Sequence, residues 1–100
     1  MIKISIADDH QLFRQGIVSL LSTIETLEVC CEAANGKLLL ECLKDKVTDI
    51  VLMDINMPEL DGIECAKIVK AKYPKIKIIM LSMHADHETI QNAIKIGIDG

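Results

Sequence analysis

Short apolar segments alternate with amphipathic segments along the chain. Runs rich in apolar and β-branched residues predict four strands, at residues 2–7, 27–33, 49–54 and 76–82. Apolar residues that recur at helical spacing predict four helices, at 11–22, after the turn at 35–36, at about 61–72 and at about 86–97. The elements therefore follow the order βαβαβαβα.

This alternation predicts an α/β fold, with a parallel sheet, helices on both of its faces and right-handed connections. Residues 50–53 are apolar throughout, which is typical of a strand covered on both faces. The strand order does not follow from these patterns, and we adopt as the expected fold the flavodoxin-like, doubly wound parallel sheet with strand order 2-1-3-4. In that order the first and third strands are neighbours, and ligands bind beyond the carboxyl ends of such strands. The apolar stripe of the first helix, which includes Phe13, is expected in the core.

The composition of the chain argues against several classes of function. The 100 residues suffice for one domain, and half of them are hydrophobic. With 11 basic and 15 acidic residues, the chain is a poor candidate for direct binding to nucleic acid or to an anionic membrane surface. No run approaches about 20 apolar residues, and no leader pattern follows Met1. We expect a cytoplasmic protein without a membrane contact.

The four cysteines are Cys30, Cys31, Cys42 and Cys65, and they form no C-x-x-C motif. We interpret all four as reduced, mostly buried small hydrophobic residues, as suits a cytosolic protein. Cys30 and Cys31 are adjacent within a predicted strand, so their side chains are expected to point to opposite faces.

Three carboxylates follow the predicted strands: Asp8 and Asp9 after the first, and Asp54 at the end of the third. Taken alone, an Asp-Asp pair is most simply a helix N-cap, and a lone Asp at a strand end is most simply a solvated loop residue. If strands one and three are neighbours, the three carboxylates share one cleft and repel one another. Mg²⁺ binds a few carboxylates together with water and phosphate oxygens, and a carboxylate can attack phosphorus.

The joint arrangement closely resembles the receiver domain of bacterial two-component response regulators. The resemblance extends from near residue 2 to Gly100, and its ending is similar to the NarL/FixJ subgroup, whose members carry a C-terminal LuxR-type helix-turn-helix. The motifs that carry it are Ile6-Ala7-Asp8-Asp9-His10, Met53-Asp54-Ile55-Asn56-Met57-Pro58, Asp61-Gly62, Ile79-Met80-Leu81-Ser82 and Gly97-Ile98-Asp99-Gly100.

The resemblance implies a role for each matching residue. Asp54 is the expected phosphoacceptor, and Asp8 and Asp9 are expected to hold Mg²⁺ with it. The backbone carbonyl of Asn56 would complete the metal site, and Ser82 would contact the phosphoryl group and couple it to a conformational switch. Asn56 and His84 fall at variable positions that tune phosphoryl lifetime in this family. The implied partners are a sensor histidine kinase and, through a helix-turn-helix absent from this chain, DNA.

The family also has a lysine and a switch aromatic on a fifth strand, which these 100 residues do not contain. We therefore expect residues 1–100 to be a receiver domain that is incomplete at its C-terminus, lacking the fifth βα unit. An exposed fourth strand would then favour a homodimer or a domain swap.

Three alternatives stay open. A Mg²⁺-dependent aspartyl-phosphate phosphohydrolase needs a second aspartate two residues after the nucleophile, where this chain has Asn56. A nucleotide- or flavin-binding module would need a Gly-rich loop after the first strand, where Asp8-Asp9 stands. A phosphorylation-independent interaction module is the third. The expected protein is a switch that phosphorylates and dephosphorylates itself, and not an enzyme with a separate substrate.

Overall fold

The computed structural model describes residues 1–55, 57 and 60–81, in which strands and helices alternate as predicted. The bounds of β1, α1 and β2 match the predicted ranges, while β3 and β4 are shorter than predicted by one or two residues. The helix predicted at 86–97 lies outside the described residues. The described elements are β1 (Ile2–Ala7), α1 (Gln11–Ser22), β2 (Leu27–Ala33), α2 (Gly36–Asp45), β3 (Ile50–Asp54), α3 (Gly62–Lys72) and β4 (Lys77–Leu81).

Side-chain caps begin α2 and α3. Asn35 Oδ1 accepts a hydrogen bond from Leu38 N at 2.9 Å, and Asp61 Oδ1 accepts one from Glu64 N at 2.8 Å. Each bond satisfies a backbone N–H that has no partner within the first helical turn. The Asn35-Gly36 turn therefore leads from a strand into a helix, as predicted.

The four strands form one parallel sheet in the order β2-β1-β3-β4. This confirms the predicted strand order and the doubly wound fold. The register pairs Ile4 with Ile50 and Ala7 with Met53, so β1 and β3 end side by side. The residues that follow β1 and β3 therefore lie at the same edge of the sheet.

The main core lies between the sheet and the helices α2 and α3. The connection from β1 to β2 and the connection from β2 to β3 run in opposite directions across the sheet. Because both connections are right-handed, α1 lies on the face opposite to α2 and α3. None of the twelve residues of α1 is buried, and Phe13 is almost half exposed, so the expectation of a fully buried stripe on α1 is wrong. The main core consists of Ala7, Ala33, Leu39, Leu43, Val51, Met53, Met57, Cys65, Ala66, Val69, Ile76 and Ile78.

An irregularity in β2 alters the positions of two cysteines. The register with β1 shifts between Ile4 and Ser5, which leaves Cys30 as an extra, unpaired residue. The Cys30 Sγ lies 3.5 Å from Ser5 Oγ and 3.6 Å from the Val47 carbonyl oxygen, which follows α2. Cys31 also faces α2. The expectation that the two side chains point to opposite faces is wrong, because the bulge interrupts the alternation.

The structure joins Cys31 of β2 to Cys42 of α2 in a disulfide, with a Cα–Cα distance of 6.6 Å. The expectation that all four cysteines are reduced is therefore wrong for this pair, while Cys30 and Cys65 are free. The sequence contains no spacing motif that signals the bond, since it depends on α2 packing back onto β2. Of the helices that the structure describes, none combines the length and apolar character needed to cross a membrane.

Candidate functional site

The carboxyl ends of β1 and β3 bring the predicted acidic residues together. Asp54 is the last residue of β3, and Asp8 and Asp9 directly follow β1. The backbone N–H of Asp8 donates to the Ala33 carbonyl at 3.0 Å, which fixes Asp8 against the end of β2 as well. We call Asp8, Asp9 and Asp54 the acidic cluster.

Ligand atoms of the acidic cluster and His10 all lie within 4.8 Å of one another. The Asp8 side chain is 2% exposed and the Asp54 side chain 11% exposed, while Asp9 is more open at 31%. Like charges at such short range and low exposure repel one another. A positive charge at this position would relieve that repulsion.

His10 is a neighbour of the cluster to which sequence reasoning assigned no role. Its Nδ1 lies 3.1 Å from Asp9 Oδ1, 3.4 Å from Asp8 Oδ1 and 3.8 Å from Asp54 Oδ2, and its side chain is mostly exposed. Its backbone N–H donates to Asp8 Oδ1 at 2.8 Å. The only signal in the sequence was that His10 directly follows Asp8-Asp9. The turn after β1 brings the chain back over the end of that strand and places His10 beside the carboxylates.

Arg14 supports the cluster from the first turn of α1. Its Nη1 donates to the Asp8 backbone carbonyl at 2.5 Å, and its Nε lies 3.9 Å from Glu32 Oε1. The side chain is 15% exposed, so its charge acts in a partly desolvated setting. The guanidinium thereby links the turn after β1 to strand β2.

A close backbone approach places α3 against the end of β3. Gly62 N donates to the Ile55 carbonyl at 2.8 Å. A Cβ added at Gly62 would lie 2.2 Å from the Asp54 carbonyl oxygen and 2.7 Å from Ile55 Cα. Since real Cβ atoms do not approach that closely, only glycine fits where the helix begins beside Asp54.

The donor set fits a hard divalent cation. Three carboxylates at one strand edge offer the oxygen ligands that Mg²⁺ prefers, and the cluster is open enough at Asp9 to admit water or phosphate oxygens. The Asp54 carboxylate could also act as a nucleophile toward phosphorus. Asn56, Ser82 and His84, the remaining residues singled out from the sequence, lie outside the described residues.

Comparisons with known proteins agree with this geometry. A family model described as the response regulator receiver domain matches residues 4–100. The transcriptional regulatory protein LnrK of Bacillus subtilis is 41% identical over 100 residues, covering 100% of this chain and 46% of LnrK. The transcriptional regulatory protein DegU of Brevibacillus brevis is 36% identical over 99 residues, covering 99% of this chain and 42% of DegU. The chain thus spans less than half the length of these two relatives.

Solved structures show the same fold. The isolated receiver domain of RcsB from Salmonella enterica serovar Typhimurium, determined in the presence of the phosphomimetic BeF3-, superposes with a TM-score of 0.92. The two are 28% identical, and the match covers 99% of this chain and 74% of that chain. The receiver domains described by this family model are generally signalling switches and not classical enzymes. The chain belongs to the response regulator receiver domain family of two-component systems, and its relatives are NarL/FixJ-type regulators.

Proposed function

We propose that Asp54 accepts a phosphoryl group from the phosphohistidine of a sensor histidine kinase, with Mg²⁺ held at the acidic cluster. The observation that carries this proposal is the convergence of Asp8, Asp9 and Asp54 within 4.8 Å at the ends of two adjacent parallel strands. Membership in the receiver family supports it, since the motifs that carry the sequence resemblance imply that Asp54 is the phosphoacceptor and that Asp8 and Asp9 are the acidic pair.

In the proposed reaction, a carboxylate oxygen of Asp54 forms a bond to phosphorus while the bond from phosphorus to the kinase histidine breaks. Bound Mg²⁺ would neutralise charge on the transferring group. Asp8 and Asp9 hold the cation beside Asp54, and the Asn56 backbone carbonyl is proposed as a further ligand. Ser82 is proposed to contact the phosphoryl group and to bias a two-state surface.

The wider setting is also proposed. The relatives' names support control of transcription, with DNA contacted by a C-terminal domain outside this sequence and not by the acidic receiver itself. Residues 1–100 would act as one receiver domain in the cytoplasm, without a separate turnover substrate. Self-association as a homodimer or by domain swapping is a separate proposal, and light scattering that gives a monomer mass over a wide concentration range would contradict it.

The test is intact mass spectrometry after incubation with acetyl phosphate, with and without Mg²⁺. We expect a Mg²⁺-dependent gain of one phosphoryl group, which is absent in Asp54→Asn and retained in Glu41→Gln, a substitution of an exposed carboxylate on α2. A gain that persists in Asp54→Asn would refute the assignment of Asp54. No gain in the wild-type chain, together with no gain in a chain extended beyond residue 100, would refute the proposed function.

Binding of the cation is tested independently of phosphorylation. Titration calorimetry with MgCl2 is expected to show one site in the wild-type chain and a loss of binding in Asp8→Asn. The substitution keeps the side-chain shape and one oxygen acceptor, so the loss would report the missing charge. Equal affinity in both proteins would rule out Asp8 as a metal ligand.

A further inference from the structure

The Cys31–Cys42 bond connects an edge strand to a helix. Cys31 lies in β2, at one edge of the four described strands, and Cys42 lies in the second half of α2. Cys31 is 7% exposed, whereas Cys42 is only half-buried. Cys42 is therefore the more exposed residue of the pair, and Cys31 is covered by the core.

The fold does not depend on this bond to hold α2 in place. Leu39 and Leu43 of α2 are buried in the main core, and the Asn35 side chain caps the helix. The position of α2 is therefore supported by contacts other than the disulfide.

We propose that Cys31 and Cys42 form a reversible thiol–disulfide site, oxidised by small-molecule disulfides of the glutathione type and reduced by cellular dithiols. This inference rests on the proposed function in one respect, which is that the protein works in the cytoplasm. Disulfides in that compartment are typically transient or redox-sensing and seldom permanent. Exchange with such a reagent would begin at Cys42, the more exposed residue of the pair.

The exchange reaction balances without a further reagent. In reduction, a dithiol's thiolate attacks the Sγ of Cys42, the more exposed residue of the pair, the Cys31–Cys42 bond breaks, and Cys31 Sγ takes the electron pair and then a proton. The second thiol of the reductant displaces Cys42 as a thiol and leaves as a cyclic disulfide. In oxidation, the Cys42 thiolate attacks the small disulfide, one thiol leaves, and Cys31 displaces the second thiol.

The two free cysteines provide internal controls. The Cys30 Sγ lies 3.5 Å from the Ile4 carbonyl oxygen and faces the segment after α2. Cys30 is half-buried, and its thiol is free and not joined to Cys42. Burial, with a smaller contribution from the negative charge of Asp61, raises the pKa of the Cys65 thiol to about 11. Because the thiolate is the reactive form, Cys65 is expected to stay inert at neutral pH.

The experiment equilibrates the folded chain in glutathione buffers of stepped oxidised-to-reduced ratio, quenches with acid, alkylates with N-ethylmaleimide under denaturing conditions and maps the peptides. We expect a reversible change from four alkylated cysteines to two, with Cys31 and Cys42 recovered as one linked peptide. The melting temperature should fall by about 10 °C on reduction, because the bond restricts the unfolded chain. Cys42→Ser should abolish both effects, and Cys30→Ser should preserve them.

Three results would overturn the proposal. They are four alkylated cysteines at every ratio, a linked peptide that contains Cys30 instead of Cys31, and a Cys31–Cys42 bond that dithiothreitol cannot reduce without unfolding the chain. The assay uses no phosphoryl donor and no Mg²⁺. Failure to phosphorylate Asp54 therefore leaves this result intact, and failure of the disulfide leaves the phosphorylation test intact.

Discussion

The two faces of the sheet are packed very differently. On one face, α2 and α3 bury seven residues between them, including Leu39, Cys65 and Val69. On the other face, α1 lies against the sheet with none of its residues buried, and Leu12 and Leu20 are largely exposed. Hydrophobic burial scales with the area removed from water, so α2 and α3 contribute more to the folding free energy than α1 does.

The acidic cluster sits where the two faces meet. Asp54 is held from the α2–α3 face by the close approach of Gly62, and Asp8 is held from the α1 face by Arg14. The densely packed α2–α3 face therefore holds Asp54, the proposed acceptor, while the more exposed α1 face holds Asp8 through Arg14. Substitutions on the two faces should differ in size accordingly.

The largest difference is expected from truncation of apolar side chains. Ile78→Ala removes a fully buried side chain of β4 and should lower the free energy of unfolding by about 3 to 4 kcal/mol, from lost burial and the cavity left behind. Leu12→Ala on α1, where the side chain is 85% exposed, should change it by less than about 0.5 kcal/mol. Urea unfolding followed by circular dichroism measures both. Similar losses would show that the two faces contribute equally.

The second prediction compares the effects of alanine substitution at two glycines on the free energy of unfolding. Gly62→Ala forces a Cβ to within 2.2 Å of the Asp54 carbonyl, and it should cost about 3 kcal/mol and displace the acceptor strand end. Gly16→Ala in α1 meets nothing within 4 Å and should stabilise the chain by about 0.5 to 1 kcal/mol, because alanine restricts the unfolded backbone. The same unfolding assay checks the opposite signs. A tolerated Gly62→Ala would contradict the described contact.

A smaller effect is expected from alkaline pH. Burial raises the pKa of Cys65 from 9.0 to about 11, so the folded state retains a proton that the unfolded state releases. The stability that the neutral Cys65 thiol gives to the folded state is fully present below pH 9 and is lost as the pH rises through about 11. Relative to Cys65→Ala, the wild-type free energy of unfolding should decrease by about 2 kcal/mol between pH 8 and pH 11. A difference that is independent of pH would mean that Cys65 is not desolvated.

The smallest effect concerns the acidic cluster itself. Without Mg²⁺, Asp54→Asn should stabilise the chain by about 1 kcal/mol, because it removes one of three crowded negative charges. Added MgCl2 should raise the melting temperature of the wild type but not of Asp54→Asn. Glu41→Gln, on an exposed part of α2, serves as the control and should show neither change. A destabilised Asp54→Asn would indicate that the carboxylate makes a structural contact that outweighs repulsion.

The sequence predicted the elements whose pattern is local. The bounds of β1, α1 and β2 follow from apolar spacing, and α3 begins within one residue of its predicted start at about residue 61. The convergence of Asp8 and Asp54 also followed, once the strand order was assumed. Each of these features depends on short-range periodicity or on a topology shared by many proteins.

What the sequence did not predict depends on contacts between distant segments. The bulge at Cys30 has no glycine to mark it, and the approach of Cys42 to Cys31 depends on how α2 settles on β2. The low burial of α1 is likewise a tertiary property, since its apolar stripe is identical to that of a covered helix. His10 was missed because proximity to three carboxylates is determined by the turn and not by residue type.

The bulge has a consequence for solubility. Among the described strands, β2 pairs only with β1, so its other edge presents backbone groups that could recruit a strand from another molecule. An extra residue bends that edge, and the exposed Glu28 and Glu32 flank it with negative charge. An incoming strand would have to match an interrupted register and accept repulsion from both carboxylates. The same irregularity that aligns two cysteines toward α2 is therefore of the kind that disfavours edge-to-edge pairing of sheets.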